Sequence, residues 1–270
     1  MSSTGAQSLK ILMLHGYTQS GALFHAKTRA LEKAIVKAFP SSTLYYPTGP
    51  IGLRPQDIPG YTPSTAFDGD EADAFGWWRR KDGTTIYEGI EKGLERVAET
   101  MKQEGPFTGV IGFSQGGAMA AMITSLLEPG RNQVFDKLSA TSPGKLAFPA
   151  SLLDSNGQLI QLPLKFAIIY SGFAAPAERY EGFYNPKINT PVLHFFGSLD
   201  TVVDESRGKL LVAGCEKGEK MVVVHPGGHF VPSQKIWLDT TTNFIRQCLE
   251  EQKIVKAEPE ESVEDMDVPF

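Results

Sequence analysis

The chain has 270 residues, of which 41% are hydrophobic, enough for one domain with a sizeable core. Its formal net charge of −5 comes from residues 250–270, whose eight acidic and two basic side chains leave residues 1–249 with 23 acidic and 24 basic ones. That balance provides no basic excess for attracting nucleic acid or an anionic membrane, so we expect neither as a partner.

The sequence shows no sign of export or of membrane insertion. Residues 1–8 have neither a basic start nor an apolar run, so we expect no signal peptide. No stretch approaches the ~18 apolar residues of a membrane span. Cys215 and Cys248 lack a metal-binding spacing, and two free thiols are favoured over one disulfide. These features predict a soluble intracellular protein.

Short apolar runs alternate with segments of helical periodicity along the chain, a pattern typical of an α/β protein. We predict strands at 10–14, 43–47, 107–113, 164–170, 192–196 and 221–224, and helices at 24–39, 84–104, 116–127 and 236–250. This order predicts a mostly parallel central sheet with helices on both faces.

Two long segments, 49–82 and 131–161, show no regular period and are predicted to be irregular. The first is long enough to suggest part of a binding site, since unstructured segments of that length are uncommon in compact domains. We expect a flexible N-terminus over residues 1–8, a single domain over 9–250 and a disordered acidic tail over 251–270, where the apolar content is too low for folding.

A G-x-S-x-G motif is formed by Gly112-Phe113-Ser114-Gln115-Gly116, between a predicted strand and a predicted helix. In that context a sharp turn exposes the serine hydroxyl, and the helix N-terminus directs N–H groups toward developing negative charge. We therefore predict Ser114 as the nucleophile of an α/β-hydrolase fold. An ordinary strand-to-helix turn with a capping serine is the alternative.

The chain order of that fold, serine then acid then histidine, predicts two further residues. Asp200 follows the predicted strand at 192–196, and His229 follows the one at 221–224. Both lie past the carboxyl ends of strands, where open α/β sheets bind their ligands. We predict that His229 takes the serine proton and that Asp200 orients and stabilises the imidazolium.

Each of these two residues has a competitor nearby in the sequence. Asp204 is the alternative acid, but Asp200 follows its strand more directly. His225 is the alternative base, but it belongs to the strand end, whereas Gly227-Gly228 gives the loop freedom to deliver His229.

Backbone amides are the predicted oxyanion donors. The amide of Gln115 follows the nucleophile, and the amide of Tyr17 lies just past the strand at 10–14, where this fold places its second donor. For His15 we prefer a role in supporting the loop over a catalytic one.

Three aromatic residues are candidates for lining a substrate pocket: Trp77 and Trp78 in the first irregular segment, and Phe173 after a strand. Packing in the core is an equal or better explanation for the two tryptophans, and an equal one for Phe173. No dinucleotide, P-loop or zinc-binding motif is present, so we expect neither a cofactor nor a metal.

Together these residues resemble the FSH family of serine hydrolases, which includes fungal proteins and a human ovarian-cancer-associated homologue. The resemblance covers about residues 9–249. It rests on His15-Gly16-Tyr17-Thr18-Gln19-Ser20-Gly21 with Phe24, Gly76-Trp77-Trp78, Gly112-Phe113-Ser114-Gln115-Gly116-Gly117-Ala118, Gly197-Ser198-Leu199-Asp200 and Gly227-Gly228-His229-Phe230-Val231-Pro232. The segment around Ser114 is shared with acyl-protein thioesterases, whereas the Trp-Trp and Tyr-Thr-Gln-Ser-Gly segments favour the FSH family.

The resemblance implies a cytoplasmic or nuclear α/β-hydrolase without cofactors that cleaves small acyl esters or thioesters, with Ser114, Asp200 and His229 matching the family position for position. Some fungal relatives release acyl chains beside polyketide synthases, so a thioesterase is the nearest alternative. A binding protein on a hydrolase fold without turnover is the alternative from another class. Acyl length, leaving group, oligomeric state and the role of the tail are left open.

Overall fold

The structure is a computed structural model that describes residues 9–54, 57–58, 74–80, 83–176 and 178–257, with side chains up to residue 251. The strands are β1 (Lys10–Leu14), β2 (Thr43–Tyr45), β3 (Ile51–Gly52), β4 (Phe75–Gly76), β5 (Arg79–Arg80), β6 (Tyr87–Glu88), β7 (Gly109–Phe113), β8 (Phe166–Tyr170), β9 (Val192–Gly197) and β10 (Val222–His225). The α-helices are α1 (Gly21–Lys27), α2 (Arg29–Ala38), α3 (Ile90–Glu104), α4 (Gln115–Leu126), α5 (Arg131–Thr141), α6 (Glu205–Ala213) and α7 (Lys235–Ala257). Short 3₁₀ helices occur at Ala150–Leu152, Glu178–Phe183 and Gly218–Lys220.

A six-stranded sheet forms the centre of the molecule, in the order β10-β9-β8-β7-β1-β2. Each neighbouring pair is parallel. The chain runs outward from β1 to β2, then returns to the other side of β1 and continues outward from β7 to β10. The order therefore reverses between β1 and β7, and a crevice for ligands is expected past the carboxyl ends of these two strands.

The alternation of side chains along β1 shows how the sheet divides the core into two layers. Ile11 and Met13 join the buried cluster beneath α1, α2 and α7, whereas Leu12 and Leu14 join the cluster beneath α3 and α4. Both faces of the sheet are thus covered by helices, which confirms the predicted architecture of a parallel sheet between two helical layers.

The helix predicted over 24–39 is in fact two helices. The first begins earlier, at Gly21, because the Ser20 hydroxyl caps it by accepting a hydrogen bond of 3.2 Å from the Leu23 amide. Thr28 ends it: this residue is buried, and its hydroxyl donates to the carbonyl of Phe24 at 2.7 Å. A second helix, α2, then starts at the next residue.

The helix predicted over 84–104 begins later than expected. Residues Tyr87–Glu88 instead form β6 against β5, and the amide of Tyr87 donates to the hydroxyl of Tyr180 at 2.7 Å. Gly89 follows with a positive φ of 81°, a conformation that suits glycine and separates the strand from α3.

The segment predicted to be irregular over 131–161 contains α5 and a 3₁₀ turn, so that prediction was wrong. The helix α5 begins at Arg131, whose buried guanidinium pairs with Glu128 at 2.7 Å. The buried residues of α5 are thus Arg131 and Phe135 rather than a row of apolar side chains. A helix of this kind lacks the periodic spacing of apolar residues by which helices are predicted.

Two further helical features differ from the predictions. The helix α6 was not predicted, and α7 runs to Ala257, past the expected end at 250 and into the segment expected to be disordered. The predictions for residues 1–8 and 258–270 lie outside the described residues. Both cysteines are free, as predicted, and the structure buries both of them. In the described ranges, none of the helices is both long and apolar enough to cross a membrane.

Candidate active site

Ser114 lies on a tight turn between β7 and α4, at the point where the strand order reverses. Its backbone is strained, with φ 53° and ψ −116°, a conformation that non-glycine residues rarely adopt. The two glycines of the motif make this turn feasible. A Cβ on Gly112 would lie 2.2 Å from the carbonyl oxygen of Gly116, and one on Gly116 would lie 2.1 Å from that of Leu14.

Three predicted side chains form one hydrogen-bonded line past the carboxyl ends of the strands. The Ser114 Oγ lies 2.9 Å from Nε2 of His229, and Nδ1 of His229 lies 2.7 Å from Oδ2 of Asp200. The ring of Phe113 packs against the imidazole, with 4.8 Å between the ring centroids. The structure thus brings Ser114, His229 and Asp200 together from three separate loops.

The carboxylate of Asp200 is fixed at both oxygens. Oδ1 accepts hydrogen bonds from the amides of Val202 and Val203, at 2.9 and 3.1 Å, while Oδ2 faces His229. Burial opposes the ionisation of Asp200, but the hydrogen bonds from His229 and from the amides of Val203 and Val202 outweigh it. The pKa of this carboxyl therefore lies below its usual range, so it is negatively charged at neutral pH.

The alternative acid and the alternative base named from the sequence have other contacts in the structure. Asp204 caps α6, where its carboxylate accepts a hydrogen bond of 2.8 Å from the amide of Ser206. His225 is buried at the end of β10, and its ring packs near those of Phe230 and Trp237, at 5.3 and 6.2 Å. The geometry accordingly favours Asp200 over Asp204 and His229 over His225.

The loop that carries the predicted oxyanion donor Tyr17 lies beside the serine. A Cβ on Gly16 would come within 3.4 Å of the Ser114 Cβ. The next residue along, Thr18, has a positive φ of 66°, a second strained position at this edge of the sheet. Neither the amide of Tyr17 nor that of Gln115 donates to any group that the structure describes.

The side chain of Gln115 ties the tryptophan segment to the nucleophile turn, a contact that sequence reasoning missed. Its Oε1 accepts from the amide of Trp77 at 2.8 Å, and its Nε2 donates to the carbonyl of Trp78 at 2.9 Å. Both partners are 37 or more positions away in sequence, so no local signal indicates them.

His15 supports the same region, in line with the role preferred from sequence. It is fully buried, and its Nε2 accepts from the amide of Gly49 at 2.8 Å while its Nδ1 lies 2.8 Å from the carbonyl of Gly16. The indole nitrogen of Trp77 donates to the carbonyl of His15 at 2.9 Å, and the two rings lie 5.0 Å apart.

The aromatic residues predicted as pocket lining belong to the buried core. Trp77 and Trp78 are 0% and 2% exposed, and Phe173 is 9% exposed at the edge of the same cluster. Trp78 stacks on Tyr87 at 4.7 Å, and the guanidinium of Arg207 lies 4.0 Å above the ring of Phe173. Their role in a pocket stays a prediction. A cavity of about 580 Å³ lies at the other end of the strands, next to the residues that precede β8 and β9. None of the predicted site residues lines it.

Comparison with solved structures defines the class of fold. The acyl-protein thioesterase 2 of Zea mays superposes with a TM-score of 0.57 at 18% sequence identity, over 92% of this chain and 97% of that one. The esterase PE8 gives a TM-score of 0.56 at 22% identity. The protein is therefore an α/β-hydrolase by fold.

Comparison of sequences defines the family. Residues 1–241 match the family described as "Serine hydrolase (FSH1)", and the chain belongs to it. The esterase OVCA2 of Danio rerio is 29% identical over 90% of this chain and 98% of its own length. A Schizosaccharomyces pombe protein named dihydrofolate reductase is 33% identical over 89% of this chain. The chain spans about half the length of that relative (47%) and of a second relative from the same yeast (51%).

Proposed function

We propose that this protein hydrolyses carboxylic esters through a covalent acyl-enzyme, with Ser114 as nucleophile, His229 as general base and Asp200 as the orienting acid. The observation that carries the proposal is the hydrogen-bonded line from Ser114 through His229 to Asp200, located where the strand order reverses. Membership of the serine hydrolase family supports the same reaction.

Acylation begins when His229 Nε2 accepts the proton of the Ser114 hydroxyl, and Oγ attacks the ester carbonyl carbon. Negative charge then moves to the carbonyl oxygen, where the amides of Tyr17 and Gln115 donate to it. The imidazolium formed at His229 is stabilised by the Asp200 carboxylate. It returns its proton to the leaving alcohol as the carbon–oxygen bond breaks.

Deacylation repeats these steps with water. His229 takes a proton from a water molecule, the resulting hydroxide attacks the acyl carbon, and Ser114 leaves with the proton that His229 returns. The acid is released and the site regenerated, so none of the steps requires an oxidant or a metal.

The activity is tested with a series of p-nitrophenyl esters of increasing acyl length. We expect hydrolysis by the wild type and a loss of about 10⁴-fold or more in the Ser114→Ala variant, because the remaining groups cannot form the acyl-enzyme. Ser139→Ala, at an exposed serine on α5, is the matched control and should retain full activity. Equal rates for wild type and Ser114→Ala would contradict the proposal.

A thioester leaving group is the second candidate for the same site. The resemblance of the Ser114 segment to acyl-protein thioesterases favours it, and the solved structure from Zea mays carries that name. Acyl esters and acyl thioesters of equal chain length, compared by kcat/KM in one preparation, distinguish the two substrates. A higher value for the thioester would assign a thioesterase, and a higher value for the oxygen ester an esterase.

A further inference from the structure

The side chain of Arg207 is half-buried in the structure. It lies in the first turn of α6, the helix that follows the Asp200 loop. Among the described residues, none provides a carboxylate within ion-pair distance of it. The more deeply buried Arg131, by contrast, pairs with Glu128 at 2.7 Å. Asp204, the acid one turn before Arg207, accepts a hydrogen bond from the Ser206 amide. The hydrogen bonds from Ser206 lower the pKa of Asp204 most, and the charge of Arg207 contributes a smaller attraction beyond ion-pair distance.

One aromatic ring and one phenol hydroxyl contact this cation. The guanidinium carbon lies 4.0 Å from the centroid of the Phe173 ring, and Nη2 donates a long hydrogen bond of 3.4 Å to the hydroxyl of Tyr87. Within the described part of the chain, this is the only hydrogen bond of the Arg207 side chain. A guanidinium has five N–H donors in its plane. The four that this hydrogen bond does not use have no hydrogen-bond partner among the described residues.

The surroundings of Arg207 connect back to the nucleophile on two sides. On one side, Tyr87 stacks on Trp78, whose carbonyl is held by Gln115 next to Ser114. On the other side, Phe173 follows the end of β8, where the carbonyl of Tyr170 accepts a 2.8 Å hydrogen bond from the Ser114 amide.

The loop after β8 is also attached to α6 and packs against α4. The amide of Ala174 donates to the carbonyl of Arg207 at 3.2 Å, and a Cβ on Gly117 would lie 3.2 Å from the Cα of Gly172. Arg207 is thus linked, through Tyr87 and through the loop after β8, to the segments that flank the serine.

We propose that Arg207 binds a carboxylate of the substrate, so that the preferred substrates carry a free carboxylate besides the ester that is cleaved. The proposal rests on the hydrolase function proposed above. A guanidinium can hold a carboxylate through two parallel N–H···O bonds, and its aromatic surroundings lower the cost of removing water from it. Two kinds of substrate provide such a group: a monoester of a dicarboxylic acid, with the carboxylate in the acyl part, or an ester whose leaving alcohol carries it.

The test compares charged and neutral esters of matched length. The first arm uses p-nitrophenyl monoesters of adipic, suberic and sebacic acids against p-nitrophenyl esters of hexanoic, octanoic and decanoic acids. The second arm uses octanoyl esters of 4-hydroxybenzoate and of its neutral methyl ester. We expect a higher kcat/KM for the charged member in one arm, which identifies the part of the substrate that Arg207 binds.

Arg207→Gln should lower the ratio of charged to neutral kcat/KM by about 10- to 100-fold, the usual effect of one charge-assisted contact. Arg207→Lys should retain part of the preference, because the charge remains but the paired geometry is lost. Lys209→Gln removes the same charge from an exposed position on the same helix and should leave the ratio unchanged.

An unchanged ratio in Arg207→Gln, or a wild type that prefers the neutral ester in both arms, would overturn the inference while leaving the hydrolase function intact. No hydrolysis of any ester by folded wild type would instead contradict the proposed function. Should Arg207→Gln fail to fold, inhibition of wild type decides the question. Free suberate should then compete with a neutral ester more strongly than the neutral diamide suberamide does, and equal inhibition would overturn the inference.

Discussion

At the scale of single residues, the two oxygens of Asp200 have separate tasks. Oδ2 faces His229 Nδ1 at 2.7 Å, and in the proposed mechanism it selects the tautomer in which Nε2 accepts a proton from Ser114. Oδ1 is held by two backbone amides, which fix the carboxylate and favour its ionised form. The imidazole is thus held by Asp200 at one nitrogen, by Ser114 at the other and by the ring of Phe113 at its face.

Replacing Asp200 by asparagine tests this selection of the tautomer. The Asp200→Asn side chain keeps its shape but presents an amide to His229, which favours the wrong tautomer, so we expect kcat to fall by about 10³- to 10⁴-fold. Asp204→Asn is the matched control. It preserves the cap of α6, since asparagine caps helices as well as aspartate, and activity should stay close to that of wild type. The kcat of both variants is measured by ester hydrolysis at saturating substrate. A larger loss in Asp204→Asn would assign the acid to Asp204.

At the scale of elements, Gly116 sets how closely α4 approaches β1. A Cβ at this position would lie 2.1 Å from the carbonyl oxygen of Leu14 and 2.4 Å from that of His15. Both are backbone atoms of the sheet and its loop, and moving them costs free energy. We expect Gly116→Ala to lower the free energy of unfolding by about 1–3 kcal/mol or more and to reduce kcat by displacing Ser114.

Chemical denaturation and ester hydrolysis check this prediction, with Gly52→Ala as the control. Gly52 is exposed, and a Cβ there would meet nothing within 4 Å. That variant should unfold at the same denaturant concentration as wild type. Wild-type stability in Gly116→Ala would mean that the turn is less tightly packed than the contacts indicate.

Most elements around the site could be predicted from the sequence, and α5 could not. All six strands of the central sheet were predicted because each is a short apolar run with a boundary of turn residues. Ser114, Asp200 and His229 could be proposed because the motif and the chain order are local signals. The helix α5 could not, since Arg131 is buried only through Glu128 and through carbonyls that are 51–56 positions away.

The start of α6, by contrast, has a local signal in the sequence. Asp204 is a capping residue followed directly by the acidic Glu205, a usual combination at helix N-termini. The contacts of Gln115 with the tryptophans and of Arg207 with Tyr87 join positions 37 to 120 residues apart, and only the folded chain reveals them.

At the scale of the whole molecule, we expect the stability in acid to depend on a histidine outside the site. His194 in β9 is 1% exposed, and neither ring nitrogen has a partner within the portion of the chain that is described. Burial lowers the pKa of His194 to about 4, from an ordinary value of 6.5. The unfolded chain therefore binds a proton more readily than the folded one, and acid favours unfolding.

The stabilising effect of a neutral His194 is complete above about pH 6.5 and is lost as the pH falls towards 4. We expect wild type to lose up to about 3 kcal/mol of unfolding free energy across this window through this one group. His194→Leu should remove that part of the loss, whereas His25→Gln, at a partly exposed histidine, should retain it. Denaturant titrations at several pH values measure the slope of the free energy of unfolding against pH for each variant. Equal slopes in wild type and His194→Leu would contradict the assignment.

The central claim is that Ser114 is a nucleophile activated by His229, and covalent labelling tests it most directly. Folded wild-type protein is treated with a fluorophosphonate and examined by intact-protein and peptide mass spectrometry. We predict one phosphonyl group per chain, located on Ser114, with no labelling of Ser114→Ala and strongly slowed labelling of His229→Ala. Folded wild type that remains unlabelled, or a label on another residue, would contradict the account.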